Sequence, residues 1–297
     1  MHQEGLCIFG EVLFDIFPDG NRVLGGAPFN LAWHLQAFGQ PARFISRLGD
    51  DAAGREICEA MRDWGLDTQA LQTDSDHPTG RVEVRVTDGE PQYRIVPDCA
   101  YDFIASEALG DFPCRLLYHG SLALRNPASA QALSRLKEKG VGTLFMDVNL
   151  RRPWWRRETV LALIDDADWV KMNAAELRLL HDGGGDDVLQ AAEAFRLRHR
   201  LKGVVVTRGQ DGALAVSEGL EAIQVRPAKT EQQVVDTVGA GDAFASVLVL
   251  GLMRAWPLAL TMTRAQAFAS MLVSRQGAVV RDHAFYRPLV DAWACVC

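Results

Sequence analysis

VVDTVGAGDAFASVL, residues 234–248, interrupts an apolar run with two glycines and an acid. The leading valines predict a buried approach to a turn, and the residues from Gly241 to about Trp256 predict an apolar helix that begins there. The first N–H groups of a helix lack partners within it, and glycines let an anion come close to the backbone. The stretch therefore predicts an anion-binding turn at the start of a buried helix.

The acid of this stretch, Asp242, has two interpretations. A carboxylate beside an anion-binding turn repels a phosphate, which disfavours a purely binding role. A hydroxyl that lies between Asp242 and a bound phosphoryl group would be oriented by the carboxylate and would give up its proton to it. The alternative is that Asp242 only stabilises the first helical turn through the helix dipole. The stretch by itself leaves both interpretations open.

Composition narrows the class of protein. The 297 residues are 48% hydrophobic and 23% charged, as in a globular protein with one large domain. The net charge of −7 disfavours a nucleic-acid binder or a protein bound to anionic membranes. The N-terminus has no basic region before its apolar residues, and the six cysteines are scattered without a C-x-x-C pair. We expect a cytoplasmic protein with reduced thiols.

Apolar runs alternate with helical patterns along the chain, which predicts an α/β fold with a parallel sheet covered on both faces. Proline, glycine and aspartate mark the ends of several predicted helices. The predicted strands lie at 6–14, 42–48, 116–121, 143–149, 169–173 and 204–209, and the predicted helices at 28–38, 51–64, 129–140, 186–201 and 241–256.

Residues 81–96 depart from this alternation. Apolar and polar residues alternate with a period of two on both sides of a Thr-Asp-Gly-Glu turn, which predicts an antiparallel hairpin exposed on one face. We expect the hairpin to form a small sheet with the segment near 12–24. The two segments, 12–24 and 81–103, are a candidate lid inserted in a single domain, 1–297.

The residues from Asp236 to Asp242 resemble the DTxGAGD signature of the ribokinase-like (PfkB) carbohydrate kinases. Further motifs of that family occur in the family's order, and the resemblance covers nearly the whole chain. These motifs are GGAPFNLA at 25–32, DVNLR at 147–151 with Trp154, N-x-x-E at 173–176 and T-x-G-x-x-G at 207–212. The resemblance implies an ATP-dependent sugar kinase with a three-layer fold, in which helices flank a central, mostly parallel sheet and a small β-sheet forms a lid.

The resemblance also implies a sugar site at the C-terminal edge of the sheet. A carboxylate and an amide suit vicinal hydroxyls because together they accept and donate hydrogen bonds. For Asn30, the alternative is a residue of an early helical turn that is satisfied by solvent. The implied sugar-binding residues are Asp15, Gly25, Gly26, Asn30 and Arg151.

In the same family the nucleotide binds beside the sugar, in the C-terminal half. The resemblance makes Gly239, Ala240 and Gly241 the anion hole and Asp242 the catalytic base. Glu176 would hold Mg²⁺ through water, and the adenine pocket would involve a helix at 264–278. Asp236 would be a ligand of K⁺, or else a buried carboxylate satisfied by backbone donors. The implied nucleotide-binding residues are Asn173, Glu176, Thr207, Gly209, Gly212, Gly239 and Gly241.

Two stretches resemble the fructokinase branch of the family: G-G-A-P-x-N at 25–30 and P-x-C-A-x-D-F at 97–103. Fructose is therefore the expected substrate. One alternative is a 2-keto-3-deoxygluconate kinase, whose acidic sugar needs an arginine, for which Arg151, Arg94 and Arg81 are available. Another is a sugar- or nucleotide-binding regulator without turnover. Apolar residues alternate along the exposed lid at Val82, Val84 and Val86, so a homodimer through the lid is expected.

Overall fold

A computed structural model of the chain describes residues 5–87, 90–183, 187–228 and 234–294, of which 86, 87, 90 and 91 are described by their backbone alone. The larger of its two sheets has nine strands. From one edge to the other their order is β13-β12-β11-β10-β9-β8-β1-β4-β5. The strands are β1 (Leu6–Phe9), β4 (Arg43–Gly49), β5 (Leu71–Asp74), β8 (Cys114–His119), β9 (Val141–Asp147), β10 (Trp169–Asn173), β11 (Gly203–Thr207), β12 (Ala213–Ser217) and β13 (Ile223–Val225).

Neighbouring strands from β11 to β5 run parallel, whereas β12 and β13 add an antiparallel edge. The central strands are buried on both faces, since Val204, Val205 and Val206 of β11 alternate in direction and all are fully buried. Helices cover both faces, and the predicted α/β class is confirmed. The helices are α1 (Ala27–Ala37), α2 (Ala52–Asp63), α3 (Pro127–Glu138), α4 (Arg157–Asp165), α5 (Ala174–Leu180), α6 (Val188–Arg198), α7 (Ala240–Met253), α8 (Leu258–Leu272) and α9 (His283–Ala294).

Local sequence explains where several helices begin. Pro28 lies in the first turn of α1, where the N–H that proline lacks would have no helical partner. Asp51 precedes α2, and its side chain accepts a hydrogen bond from the Gly54 amide at 2.8 Å. Asn126 caps α3 in the same manner through the Ala128 amide. The helix starts predicted from Pro28 and Asp51 are confirmed, whereas α3 begins at Pro127, two residues before the predicted start at Ser129.

A smaller sheet of four strands lies apart from the large one, in the order β3-β2-β6-β7. Its strands are β2 (Leu13–Ile16), β3 (Arg22–Gly25), β6 (Gly80–Thr87) and β7 (Glu90–Ile95). The single strand predicted at 6–14 is wrong, because β1 and β2 belong to different sheets. They separate at Gly10, where a Cβ atom would lie 2.5 Å from the Pro28 ring. The predicted hairpin is present as β6 and β7, and its turn lies outside the described residues.

The apolar face of the hairpin points into the molecule. Val82 and Val84 are 5% and 4% exposed, and Val82 packs with Leu13, Tyr101 and Leu122. The expectation of an exposed stripe of valines is therefore wrong at both positions, because that face closes a core of its own. The side chain of Val86 lies outside the description.

Two further expectations near the C-terminus are wrong. The helix predicted at 264–278 begins earlier, after Pro257, and ends at Leu272. Val234 and Val235, predicted to be buried, are each 61% exposed. Their segment runs past the end of α8, where the Val235 amide donates to the Val273 carbonyl at 2.8 Å, and it does not enter the sheet.

Of the helices in the described ranges, none combines the length and the apolar character that a membrane span requires. The described cysteines, Cys7, Cys58, Cys99 and Cys114, are free thiols. Cys295 and Cys297 lie outside the described residues.

Candidate active site

The carboxyl ends of the parallel strands open onto a cleft of about 750 Å³. Asp147, Asn173 and Thr207, the last residues of β9, β10 and β11, line one wall. The smaller sheet supplies the opposite wall, and the first turn of α7 closes one end. Ligands of open α/β sheets bind outside the carboxyl ends of the strands, so this cleft is where a substrate is expected.

The turn before α7 has the geometry of an anion site. Gly239 has a φ of +78°, and a Cβ atom there would lie 2.5 Å from the Cα of Ala278, so glycine is required. The Ala240 amide donates to the Thr237 carbonyl at 3.3 Å. In the described part of the chain, the amides of Gly241 and Asp242 have no acceptor. Two free N–H groups thus remain at the positive end of the helix.

Asp242 lies in this first turn and faces the cleft. Its Oδ2 accepts a hydrogen bond from Asn30 Nδ2 at 2.8 Å, which joins α7 to α1. Burial raises the pKa of the Asp242 carboxyl, and the Asn30 hydrogen bond and the Lys171 ammonium oppose that rise. Asn30 is 4% exposed and its Oδ1 has no hydrogen-bond partner among the described residues, so it is not a residue satisfied by solvent.

The other predicted sugar residues gather beside this pair. Asp15 of β2 lines the cleft, and burial raises its pKa to about 6, with Arg151 acting in the opposite direction. A Cβ atom on Gly25 would lie 3.8 Å from both Asn30 Oδ1 and Asp15 Oδ2, so Gly25 lies between these two groups. Gly26 has a φ of +114°, and it packs against the backbone of Glu11 and Val12, the residues that lead into β2. The structure brings all five predicted residues to one cleft.

Asn173 and Glu176 form a capping box at the start of α5. The Asn173 side chain accepts from the Glu176 amide at 2.9 Å, and Glu176 Oε2 accepts from the Asn173 amide at 2.8 Å. Glu176 Oε1 accepts from the Leu150 amide at 2.8 Å. Both side chains line the cleft, and burial raises the pKa of Glu176. Backbone donors therefore fix the carboxylate in place.

The T-x-G-x-x-G motif is split between two environments. Thr207 lines the cleft at the end of β11. Gly209 starts an exposed turn, and the backbone of Gly212 packs against β13, where a Cβ atom would lie 2.0 Å from the Val225 carbonyl oxygen. The cleft wall described above includes neither glycine. The close packing against β13 explains why position 212 is a glycine, since any side chain would clash there.

Asp236 is half-buried just before the anion-binding turn. Its Oδ1 accepts from the Val238 amide at 2.9 Å and its Oδ2 from the Gly277 amide at 2.9 Å. Backbone donors thus satisfy the carboxylate, as in the alternative to a K⁺ ligand. The two hydrogen bonds also connect the turn to the segment after α8. In the described residues, no three His, Cys, Asp or Glu side chains gather into a cluster able to hold a metal ion.

The sequence matches the profile of the pfkB family carbohydrate kinases over residues 9–283. The chain belongs to this family. This carbohydrate kinase is 30% identical to the fructokinase of Klebsiella pneumoniae over 264 residues, which cover 83% of this chain and 84% of the relative. The resemblance seen in the sequence motifs is thereby confirmed, and so is the enzyme class.

Two solved structures share the fold of this carbohydrate kinase. The fructokinase of Vibrio cholerae, solved with fructose, ADP and calcium, has a TM-score of 0.79 at 25% identity and covers 96% of this chain and 99% of its own. The aminoimidazole riboside kinase of Salmonella enterica, solved with aminoimidazole riboside and an ATP analogue, has a TM-score of 0.80 at 26% identity and covers 97% and 99%. The predicted three-layer fold with a smaller sheet is confirmed.

Glu11 is a cleft residue of this carbohydrate kinase that the sequence does not predict. It follows β1 and is 3% exposed, and within the described ranges its Oε2 has no hydrogen-bond partner. Burial raises its pKa to about 7, and the nearby Asp242 raises it further while Arg151 opposes the rise. The sequence does carry a signal for this residue, namely an acidic residue directly after Gly10 within an otherwise apolar run.

A buried ion pair behind the anion-binding turn was also missed. Lys171 Nζ donates to both carboxylate oxygens of Asp147, at 3.0 and 2.8 Å, and both residues line the cleft. Tyr118 donates to Asp147 Oδ2 at 3.3 Å. The signal was a lysine in the otherwise apolar strand WVKMN, since a buried charge requires a partner.

Proposed function

We propose that this carbohydrate kinase transfers the γ-phosphoryl group of ATP to a hydroxyl of fructose. The observation that carries the proposal is the position of Asp242. It lies between the free amides of the α7 turn and the group formed by Asn30, Gly25 and Asp15. The fructokinase relative and the fructose-bound and ADP-bound structural neighbour support fructose as the acceptor.

The sugar site offers both donors and acceptors. Asn30 Oδ1 is buried and finds no partner in the part of the chain that the structure describes, and Asp15 lies across the space that the missing side chain of Gly25 leaves. A buried oxygen without a hydrogen bond is costly, so a hydroxyl that fills this space restores the lost interaction. Arg151 lines the same cleft and offers further donors. Vicinal hydroxyls of a small sugar match this arrangement.

The transfer then follows from the placement of the carboxylate. The sugar hydroxyl gives its proton to Asp242 as its oxygen bonds to the γ-phosphorus. The bond from that phosphorus to the β,γ-bridging oxygen breaks, and its electron pair leaves with ADP. The Gly241 and Asp242 amides face the charge that develops on the phosphoryl oxygens. A raised pKa at Asp242 makes it a stronger base than an exposed aspartate.

The acidic cleft favours a divalent cation. Among the described residues, its lining contains the acids Glu11, Asp15, Asp147, Glu176 and Asp242 and the fewer cations Arg151, Arg152 and Lys171. A triphosphate adds further negative charge, which Mg²⁺ would neutralise when bound. Glu176, whose oxygens are already fixed by backbone donors, suits an ion that keeps its water ligands, and Asn173 lies beside it.

The monovalent cation remains a proposal at Asp236. The carboxylate is held between the turn at Val238 and the segment at Gly277, so an ion beside it would stiffen the anion hole. Replacing K⁺ by the larger tetramethylammonium ion should lower kcat in the wild-type protein. An Asp236→Asn variant should be insensitive to the exchange.

The smaller sheet is proposed as a lid over the sugar. It carries Asp15 and lines the cleft with Leu13, Val23, Val82 and Tyr93. Closure would exclude water from the transferring phosphoryl group. A homodimer through the lid is also proposed, and it must use the face opposite Val82 and Val84, because those side chains are buried in the monomer.

A second substrate is favoured by one observation. The exposed guanidinium groups of Arg151 and Arg152 both line the cleft, and a pair of arginines suits a sugar acid such as 2-keto-3-deoxygluconate. The two candidate substrates are distinguished by their kcat/KM values, since a site that binds an acid gives the larger value with the sugar acid than with a neutral ketose.

A sugar panel tests the proposed function. ADP release is measured with fructose, ribose, aminoimidazole riboside and 2-keto-3-deoxygluconate, with Mg·ATP and K⁺ present, and the product is identified by phosphorus NMR. We expect the largest kcat/KM with fructose. A larger value with the sugar acid would replace fructose by that substrate. If no sugar raises ADP release above the background, the chain is a binding protein and the kinase reaction is wrong.

A further inference from the structure

A second cavity, of about 410 Å³, lies at the edge of the large sheet opposite the cleft. Trp169 is the first residue of β10 and Ser217 is the last residue of the antiparallel strand β12, so both lie where the parallel strands begin. Residues of α7, of α8 and of the turn between them line the other side. The cavity is therefore separate from the cleft, which lies where the parallel strands end.

The floor of this cavity is one row of register partners across β9, β10, β11 and β12, namely Phe145, Trp169, Gly203 and Ser217. Side chains of such a row point to the same face of a sheet. Gly203 has no side chain, and a Cβ atom there would lie 2.2 Å from Cζ3 of Trp169, so the indole lies over the glycine. The floor is thus aromatic, with the hydroxyl-bearing Ser217 at one end.

Trp256, in the turn between α7 and α8, adds a second indole to the wall. The Arg264 guanidinium lies 4.1 Å from the centroid of its ring, and the Trp293 ring meets it edge-on with centroids 5.7 Å apart. These contacts hold the indole in place, which lowers the entropy cost of binding against it. The large apolar side chains at this cavity are only partly buried: Trp169, Leu252, Trp256 and Leu258. Partly buried aromatic and aliphatic groups around a concave space are typical of a small-molecule site.

Ser217 supplies the polar group of the cavity. It is 7% exposed, and in the described ranges its buried Oγ has no hydrogen-bond partner. A buried hydroxyl without a hydrogen bond is costly, so stability alone favours alanine at this position. The charged residues of the lining, Lys202 and Glu218, are both exposed, and Lys202 Nζ forms an ion pair with Asp168 Oδ1 at 2.8 Å. The interior therefore offers one hydroxyl and no buried charge among the described lining residues.

We propose that this cavity binds a neutral, planar aromatic molecule that carries one hydrogen-bonding group. The ring packs against Trp169 and Trp256, because aromatic pairs gain more than their buried area alone provides. The polar group forms a hydrogen bond with the Ser217 hydroxyl, which removes the cost of burying that hydroxyl alone. An ionised ligand is disfavoured, because it would lose its hydration without meeting a buried counter-charge. Leu252 lies roughly 15 Å along α7 from Asp242, at about 1.5 Å per residue, so a molecule bound here does not contact the catalytic turn.

Equilibrium dialysis with three related probes tests the site: 2-naphthol, naphthalene and decahydro-2-naphthol. We expect saturable binding of 2-naphthol, with a Kd about fivefold lower than that of its saturated analogue, since only the aromatic ring pairs with the indoles. Ser217→Ala should raise the Kd of 2-naphthol by about fivefold and leave that of naphthalene within about twofold, since only 2-naphthol loses a hydrogen bond. The matched control is Ser106→Ala, whose hydroxyl donates to Glu107 at 2.8 Å outside this cavity, and it should keep both wild-type Kd values.

The cleft is the other place that an aromatic probe can enter. An excess of Mg²⁺ and a non-hydrolysable ATP analogue should leave the Kd of 2-naphthol unchanged, and displacement by the nucleotide would overturn the assignment. Leu252→Phe, which places a larger side chain in the cavity, should weaken both aromatic probes and serves as the second variant if Ser217→Ala does not fold. No saturable binding of 2-naphthol, equal binding of the saturated analogue, or an unchanged Kd in a folded variant of Ser217 or Leu252 would each overturn the proposal. Turnover plays no part in these measurements, so an inactive protein would contradict the proposed function alone.

Discussion

Glu11 is a carboxyl group that the fold withdraws from water beside the proposed sugar site. Its pKa is raised to about 7 in the folded chain, above the 4.5 of an unperturbed glutamate. A raised folded pKa means that the contribution of Glu11 to stability is full below about pH 4.5 and is lost as the pH rises through about 7. At alkaline pH the chain therefore carries a buried charge that lowers its free energy of unfolding.

Glu11→Gln should accordingly stabilise the protein at about pH 8, by up to about 3 kcal/mol, and have little effect at about pH 4.5. Chemical denaturation at the two pH values measures the difference. Glu221→Gln, at an exposed position, is the control and should change stability at neither pH. Equal stabilisation by Glu11→Gln at both pH values would show that its carboxyl is not held away from water.

The sequence predicts the residues of short motifs better than isolated polar residues. Asn30 and Asp242 belong to motifs with fixed spacing, and the structure brings them to one hydrogen bond across 212 positions. Glu11 and Lys171 are single charged residues in apolar stretches of the sequence. The partner of Lys171 is Asp147, which lies 24 positions away on a neighbouring strand. The local sequence does not determine the order of the strands in the sheet, so this pairing could not be predicted. Such residues need the fold before their role can be inferred.

At the level of elements, boundaries were predictable where a residue with special backbone chemistry marks them. The starts of α1 and α2 follow from Pro28 and Asp51. The start of α8 was misplaced, because its apolar residues extend the pattern in both directions and no Ser, Thr, Asp or Asn caps it. The antiparallel strand β12, which lies between β11 and the edge strand β13, was missed, because ALAVS follows directly on the T-x-G-x-x-G motif.

The smaller sheet, proposed as a lid, offers a test at the same scale. Val82 of β6 is 5% exposed, lines the cleft and packs on Leu13. Val82→Ala should lower the free energy of unfolding by about 2 kcal/mol, since buried methyl groups are lost and a cavity remains. It should also raise the KM for the sugar more than that for ATP. Denaturation and steady-state kinetics measure both, with the 59% exposed Leu220 changed to Ala as the control. An unchanged sugar KM would count against a lid that closes on the sugar.

For the whole molecule, the alternation of apolar runs with helical patterns was sufficient to predict a parallel sheet covered by helices on both faces. The parallel order from β11 to β5 brings the ends of β1, β9, β10 and β11 to one edge, where the cleft forms. The break between β1 and β2 was not predictable from periodicity, because both segments are apolar. It depends on the contact of Gly10 with Pro28 in α1.

Closure of the lid should be visible across the whole chain by hydrogen exchange. Fructose together with a non-hydrolysable ATP analogue should slow amide exchange in β2, β3 and β6, while β13 at the far edge of the large sheet stays unchanged. Protection confined to the α7 turn, with the smaller sheet unaffected, would show that nucleotide binds without closure.

The most direct test of the central claim is the turnover of Asp242→Asn with fructose and Mg·ATP, measured together with calorimetric fructose binding. The amide keeps the shape of the side chain but cannot accept the hydroxyl proton. We expect kcat to fall by about 10³-fold, within the usual range for loss of a general base, while fructose still binds. A kcat within about tenfold of wild type would show that Asp242 only stabilises the first turn of α7, and would contradict the account.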